Sequence, residues 1–267
     1  MSNRRVNKKR RRRLKKTPFV ILILIIFLIV GAIVIKNNIK DDSEVLNNSS
    51  NVSSTVVNAE QKAEIERLKA EAEKWYLLLV NDSNPLSEDF VPETVELPSK
   101  YLCGNLKEVD SRIAQAFMDM CDAALEEGVS LRARSPYRAI ETQKWLFENE
   151  VTKWENQGLS REEAEEKAAT IVARPGTSEH AIGLAIDINL SDQSFEQTDA
   201  FSWLQKNAAK YGFVLRYPEN KQDVTGIIYE SWHYRYVSPE HAKEMNRLGL
   251  CLEEYVEYLK SGGEILE

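Results

Sequence analysis

Apolar positions along this chain follow three regimes. From Pro18 to Ile35 they form an uncharged, almost wholly apolar run of 18 residues. From Asp41 to Asn58 they thin to scattered valines among Ser and Asn, and beyond that they recur with helical or alternating periods. The first run is close to the ~20 residues that cross ~30 Å of hydrocarbon as a helix. The second cannot bury a core and reads as an extended stalk. The third contains the folded part.

Within it, Ala59 to Val80 is dense in Glu, Lys, Ala and Leu with Ile65, Leu68, Trp75, Leu78 and Leu79 interspersed. This predicts a helical linker over 59–83, and the pattern leaves open what it packs on. A proline-containing connection, Asn81 to Pro98, leads into the compact part, 84–267. There Asp110 can cap a helix in which Ile113, Phe117, Cys121, Ala124 and Leu125 recur at spacings of three and four until Gly128. Val129 to Arg134 alternates as a strand does. A helix from about Ala139 to Asn156 then carries Trp145, Leu146 and Val151 inward, and Ser160 with Glu163 forms a capping box for the next, to about Val172.

Gly183 to Leu190, Phe213 to Arg216, Gly226 to Tyr229 and Trp232 to Val237 read as strands, with a helix from Thr198 to Tyr211 stopped by Gly212. Ser238-Pro239 opens a helix by a capping hydroxyl and a proline in the first turn, and Cys251 to Lys260 makes the last. Helices that precede and interrupt a few strands predict an α+β fold, a small and mostly antiparallel sheet with flanking helices.

Charge changes the picture at the N-terminus. The chain carries 35 Lys and Arg against 42 Asp and Glu, a formal −7, yet residues 1–36 contain no acid and many bases. A basic cytoplasmic tail (1–17) before a transmembrane anchor (18–35) and a disordered stalk (36–58) places the N-terminus inside and everything after Lys36 outside, as a single-pass cell-membrane protein. A cleavable signal peptide has an apolar core of ~7–15 residues and a small-x-small site; here Gly31-Ala32 runs into Ile33-Val34-Ile35-Lys36. The acidic remainder excludes nucleic-acid binding by phosphate neutralisation. Cys103, Cys121 and Cys251 are odd in number and have no CxxC spacing, so they imply no disulfide framework.

Candidate chemistry lies in two clusters. His180 and Asp187 flank a Gly183-Leu184-Ala185-Ile186 segment, and Glu230 and His233 bracket the start of a later strand. Two imidazoles and a carboxylate are a three-ligand set that holds zinc with one position open, the catalytic rather than the structural form. An unpaired carboxylate in so apolar a run is costly, and a cation removes that cost. Glu230, three residues before His233, is where a hydrolase needs its general base. The third histidine, His241, sits beside a helix start and reads as structural or surface.

Three segments resemble the VanY-type zinc D-alanyl-D-alanine carboxypeptidases, a group that also includes D-Ala-D-Ala dipeptidases and LD-carboxypeptidases. Ser178 to Asp187 resembles the SxHxxGxAxD motif, Glu230-Ser231-Trp232-His233 the ExxH motif, and Ser135-Pro136-Tyr137-Arg138 the SxYR segment. The resemblance covers roughly Asn84 to Leu252. It implies His180, Asp187 and His233 as zinc ligands and Glu230 as catalytic base. It also implies Arg138 as the group binding the substrate's free carboxylate, with Ser178 and Gln143 lining the same pocket. Ser231 stands where proline is common and Ala139 where serine is frequent; neither departure removes a ligand. The expected activity is removal of the C-terminal D-alanine from peptidoglycan stem peptides. An LD-carboxypeptidase, a dipeptidase or endopeptidase of the same group, and a non-catalytic cell-wall binding module are the alternatives.

Overall fold

Among the described residues the backbone forms two antiparallel sheets. The structure is a computed structural model that describes residues 61–87 and 89–263. The tail, anchor and stalk expected over 1–58 lie outside those residues. No helix among those described is long and apolar enough to cross a membrane.

The smaller sheet pairs β1 (Thr94–Glu96) with β2 (Glu108–Asp110). The larger has β3 (Ala133–Ser135), β4 (Ala185–Ile188), β5 (Phe213–Leu215) and β6 (His233–Tyr236) in the order β3-β4-β6-β5. Its register sets the two faces. Ile186 lies opposite Tyr234, which lies opposite Leu215, whereas Asp187 lies opposite His233 and Ala185 opposite Arg235. Side chains alternate along a strand and opposed residues share a face. One face is therefore apolar, and the other carries Asp187, His233 and Arg235.

The apolar face packs on the helix Ala114–Glu126. Phe117, Met120, Cys121 and Ala124 of that helix join Ile186, Ile188, Phe213 and Tyr234 in the main core, with Phe117 fully buried. Each such large apolar side chain contributes about 1.5–3 kcal/mol when fully buried. A second cluster settles the packing of the N-terminal flank. Ala72, at the end of the helical stretch over residues 61–72, and Leu77, in the turn Trp75–Leu77, pack with Ala242, Met245, Leu252, Tyr255 and Leu259 of the helices Pro239–Leu248 and Leu252–Lys260. The described residues from Lys62 onward form one compact unit. A third cluster joins Phe147 and Val151 of the helix Ile140–Glu155 to Ala164 and Ala168 of Arg161–Ala169. The second helix of that hairpin opens on the expected Ser160–Glu163 capping box.

The α+β class and its antiparallel sheet match the expectation, and several local readings need correction. Gly226 to Tyr229 is not a strand: a short helix, Gln222–Thr225, ends at Gly226 in the left-handed region, and the Ile228 N–H then goes to Thr170 O of the helical hairpin instead of a ladder. Asp110 does not cap a helix, because the helix starts at Ala114. It ends β2, fully buried, with both carboxylate oxygens held by Arg112. The Ser238 hydroxyl makes no cap bond. Trp145 and Leu125, expected inward, are 64% and 62% exposed. β1 falls in what read as a connection and β2 in a stretch to which no element was assigned, since three-residue strands hold too little alternation to register.

Candidate metal centre and active-site cleft

The His180 imidazole is aimed by its backbone and by one hydrogen bond. The residue lies in the tight turn Glu179–Ile182, which Gly183 ends at φ 70°. A Cβ on Gly183 would come within 2.7 Å of the Asp110 backbone nitrogen, so both conformation and space require glycine. The Nδ1 atom of His180 lies 2.8 Å from Pro136 O. Since a carbonyl only accepts, Nδ1 carries the proton and the Nε2 lone pair faces Asp187 Oδ1 at 3.5 Å.

Asp187 and His233 face each other because β4 and β6 pair them, and His233 Nδ1 lies 3.3 Å from the same Oδ1. One ligand atom from each of His180, Asp187 and His233 falls within 4.8 Å of the others, and all three residues are buried. Asp187 Oδ1 has no hydrogen-bond partner in the protein. Two ring nitrogens converging on a buried carboxylate oxygen that lacks a hydrogen-bond partner suit a cation, and two nitrogens and one oxygen suit zinc.

Burial and neighbouring charge tune the set. Burial pushes the His180 pKa down, and Arg138 adds to that, so the ring is neutral and ready to coordinate. Burial works to raise the Asp187 pKa, but His180 and His233 hold it well below the usual carboxylate range. For His233 burial favours the neutral ring, yet the carboxylates of Asp187 and Glu230 overcome it and push the pKa up to about 9. A metal ion held here would have to displace a proton from this ring.

Glu230 sits just before β6, its Oε2 3.4 Å from His233 Nδ1 and its backbone N–H bonded to Tyr217 O. Burial raises its pKa, which makes it a stronger base than a free carboxylate. Arg138 reaches the same spot from the start of the helix Ile140–Glu155. Its Nη1 donates to Gln143 Oε1 at 2.8 Å and its Nη2 to Ser135 Oγ at 2.7 Å, while Nη2 stands 3.7 Å from Asp187 Oδ2. Gln143 is in turn fixed by its donation to Ala173 O. The guanidinium plane is thus held from two sides before any ligand arrives.

All seven residues singled out in the sequence, Arg138, Gln143, Ser178, His180, Asp187, Glu230 and His233, line one cleft of about 400 Å³. Leu146, Val172, Ile228 and Trp232 give it an apolar wall. Ser135, which orients Arg138, and Tyr217, whose ring centroid lies 4.8 Å from that of His233, were not assigned from the sequence. Ser135 stood within a recognised segment, whereas Tyr217 offered no spacing signal. His241 is buried and structural, bonded to Tyr255 Oη at 2.8 Å, and takes no part in the cleft.

Residues 106–239 match the family described as VanY, D-alanyl-D-alanine carboxypeptidase. A D-alanyl-D-alanine carboxypeptidase of Enterococcus faecalis is 37% identical over 188 residues, covering 70% of this chain and 68% of that protein. Among solved structures, a variant of the D,D-pentapeptidase VanY from a VanB-type resistance cassette, in complex with Zn(II), superposes with a TM-score of 0.61 at 38% identity. It covers 68% of this chain and 99% of that one. The LD-carboxypeptidase LdcB, a structure concerned with peptidoglycan recognition, is similar to the same degree, TM-score 0.61 and 38% identity over 68% of this chain and 86% of that one.

Proposed function

This chain belongs to the VanY family of D-alanyl-D-alanine carboxypeptidases, and on that premise we propose how its residues divide the work. It is a zinc metallopeptidase that removes the C-terminal D-alanine from peptidoglycan stem peptides. His180, Asp187 and His233 hold the metal, Glu230 is the catalytic base, and Arg138, Gln143 and Ser178 bind the substrate's end. Zinc in that position supplies Lewis-acid polarisation of the scissile carbonyl and lowers the pKa of the attacking water to about 7.

The remaining steps belong to the side chains. Glu230 accepts the proton that the attacking water gives up and passes it to the departing amine of D-alanine. Arg138 pins the terminal carboxylate by paired hydrogen bonds of a kind a lysine cannot match. The observation that carries the exopeptidase reading is the guanidinium of Arg138, held rigid 3.7 Å from Asp187. A carboxylate bound that close to the metal ligands leaves only the last peptide bond within reach. Charge-assisted bonds of this type are worth about 1.5–3 kcal/mol. Arg138→Ala is therefore expected to lower kcat/KM by roughly 10–100-fold for a free-carboxylate peptide and to matter less for its C-terminal amide. Equal losses on both would remove the role.

The cellular placement is part of the same proposal. Residues 18–35 anchor the chain, 36–58 act as a stalk, 59–83 link it, and 84–267 work outside the cell membrane where stem peptides are exposed. The uncharged run after a basic, acid-free segment supports this. In intact spheroplasts, external protease should release the enzyme domain; protection of that domain would reverse the orientation.

A further inference from the structure

Behind the metal ligands lies a second charged cluster that the reaction does not use. Glu179, fully buried, accepts a hydrogen bond from Arg216 Nε at 2.7 Å and is ion-paired with Arg235 Nη1 at 2.9 Å, both on its Oε1. Arg216 also makes a two-point contact with Glu253, at 2.8 and 2.6 Å. Arg235 donates to the carbonyls of Tyr76 and Leu78. Two carboxylates and two guanidiniums make this cluster formally neutral. A counter-ion alone would be expected to share its two oxygens between the two cations, and Glu179 does not.

Its other oxygen, Oε2, is buried without a hydrogen-bond partner, and so is Nε2 of His233. The two atoms face each other at 4.0 Å. A neutral imidazole that presents Nδ1 to a metal must carry its proton on Nε2, and a buried N–H needs an acceptor. A ring shift of about 1 Å closes the gap to hydrogen-bond length. Outer carboxylates that take the second nitrogen of a ligating histidine fix its tautomer and orientation.

We propose that Glu179 is a positioning residue for His233: its Oε2 accepts the Nε2 proton and thereby commits Nδ1 to the metal. The inference rests on the metal site proposed above. Arg216 and Arg235 hold one oxygen of Glu179 and leave the other turned toward the ring. Glu179→Gln breaks this selectively, because the amide oxygen is claimed by the two arginines. Its NH2 group then meets the His233 N–H, donor against donor.

The test compares zinc affinity of the full-length chain, by competition with a chromophoric chelator, in wild type, Glu179→Gln and Glu253→Gln. Both substitutions remove one carboxylate charge from the same buried cluster, and only one faces the imidazole. Glu179→Gln should weaken zinc binding by about 10–100-fold, and Glu253→Gln should leave it unchanged. In the zinc-loaded wild type, ¹⁵N-resolved spectra of the histidines should show the His233 proton on Nε2, with a resonance that moves in Glu179→Gln. If Glu179→Gln fails to fold, Glu179→Asp, which keeps the charge but withdraws the oxygen, takes its place with the same expectation. Equal losses in the two variants, or no loss at Glu179, overturn the inference. A wild-type chain that binds no zinc overturns the metal site and this inference with it.

Discussion

Two buried polar clusters meet at the His233 ring, and they are built on opposite principles. In front, Asp187 and Glu230 face a single guanidinium, Arg138, and two imidazoles that must be neutral to bind metal. Behind, Glu179 and Glu253 are matched by Arg216 and Arg235, each held by further contacts. The rear cluster is balanced in charge as folded and the front one is short of positive charge, although each keeps one carboxylate oxygen, Glu179 Oε2 and Asp187 Oδ1, without a hydrogen-bond partner. A binding site differs from a structural ion-pair network in that imbalance, not in how deeply it is buried.

The sharpest way to probe the front cluster is to neutralise its base. Glu230→Gln should lose roughly 10²–10⁴-fold in kcat while keeping zinc, because general base catalysis contributes on that scale and this side chain is not a ligand. Full activity in the variant would sink the assignment. The converse experiment targets the rear. Arg216→Met leaves Glu179 and Glu253 short of a partner and should destabilise the fold by about 3–5 kcal/mol in urea unfolding, more than Glu230→Gln does. A smaller cost than that of the Glu230 variant would mean that the two clusters are not distinct in kind.

Acidity separates them further. The His233 pKa of the metal-free protein is raised from 6.5 to about 9. Below about pH 9 zinc must displace a proton, so apparent affinity should fall by up to about tenfold for each unit of acidification. The sign for the fold is the reverse. A raised pKa stabilises the native state fully below 6.5, and that contribution is lost as the pH rises through about 9. The melting temperature of the metal-free chain should therefore drop over the window in which its zinc affinity climbs. Parallel changes of the two would contradict the proton count at His233.

Much of the front cluster was legible in the sequence, and little of the rear one. His180, Asp187, Glu230 and His233 stand in motifs whose spacing reflects a turn, a strand and a second strand, and β4–β6 pairing brings them together. Arg216 and Arg235 looked like ordinary polar positions in short strands. They are buried because Glu179, Glu253 and the backbone of residues 76–78 converge on them from distant parts of the chain. No local period encodes such a meeting. The same holds for β1 and β2, which are too short to alternate visibly, and for Trp145, whose helix buries Gln143 and Phe147 but turns the indole outward. Capping and core periodicity, as at Ser160 and Phe117, are local, and they were readable.

The central claim is that this front cluster is a zinc exopeptidase site. It is tested most directly by incubating the chain, stripped of metal and then restored with zinc, with a stem pentapeptide ending in D-Ala-D-Ala and weighing the products. Loss of one D-alanine, only after zinc is restored and abolished in His233→Ala, is the predicted result. Undiminished cleavage in the stripped protein, or products cut at an internal bond, would contradict it.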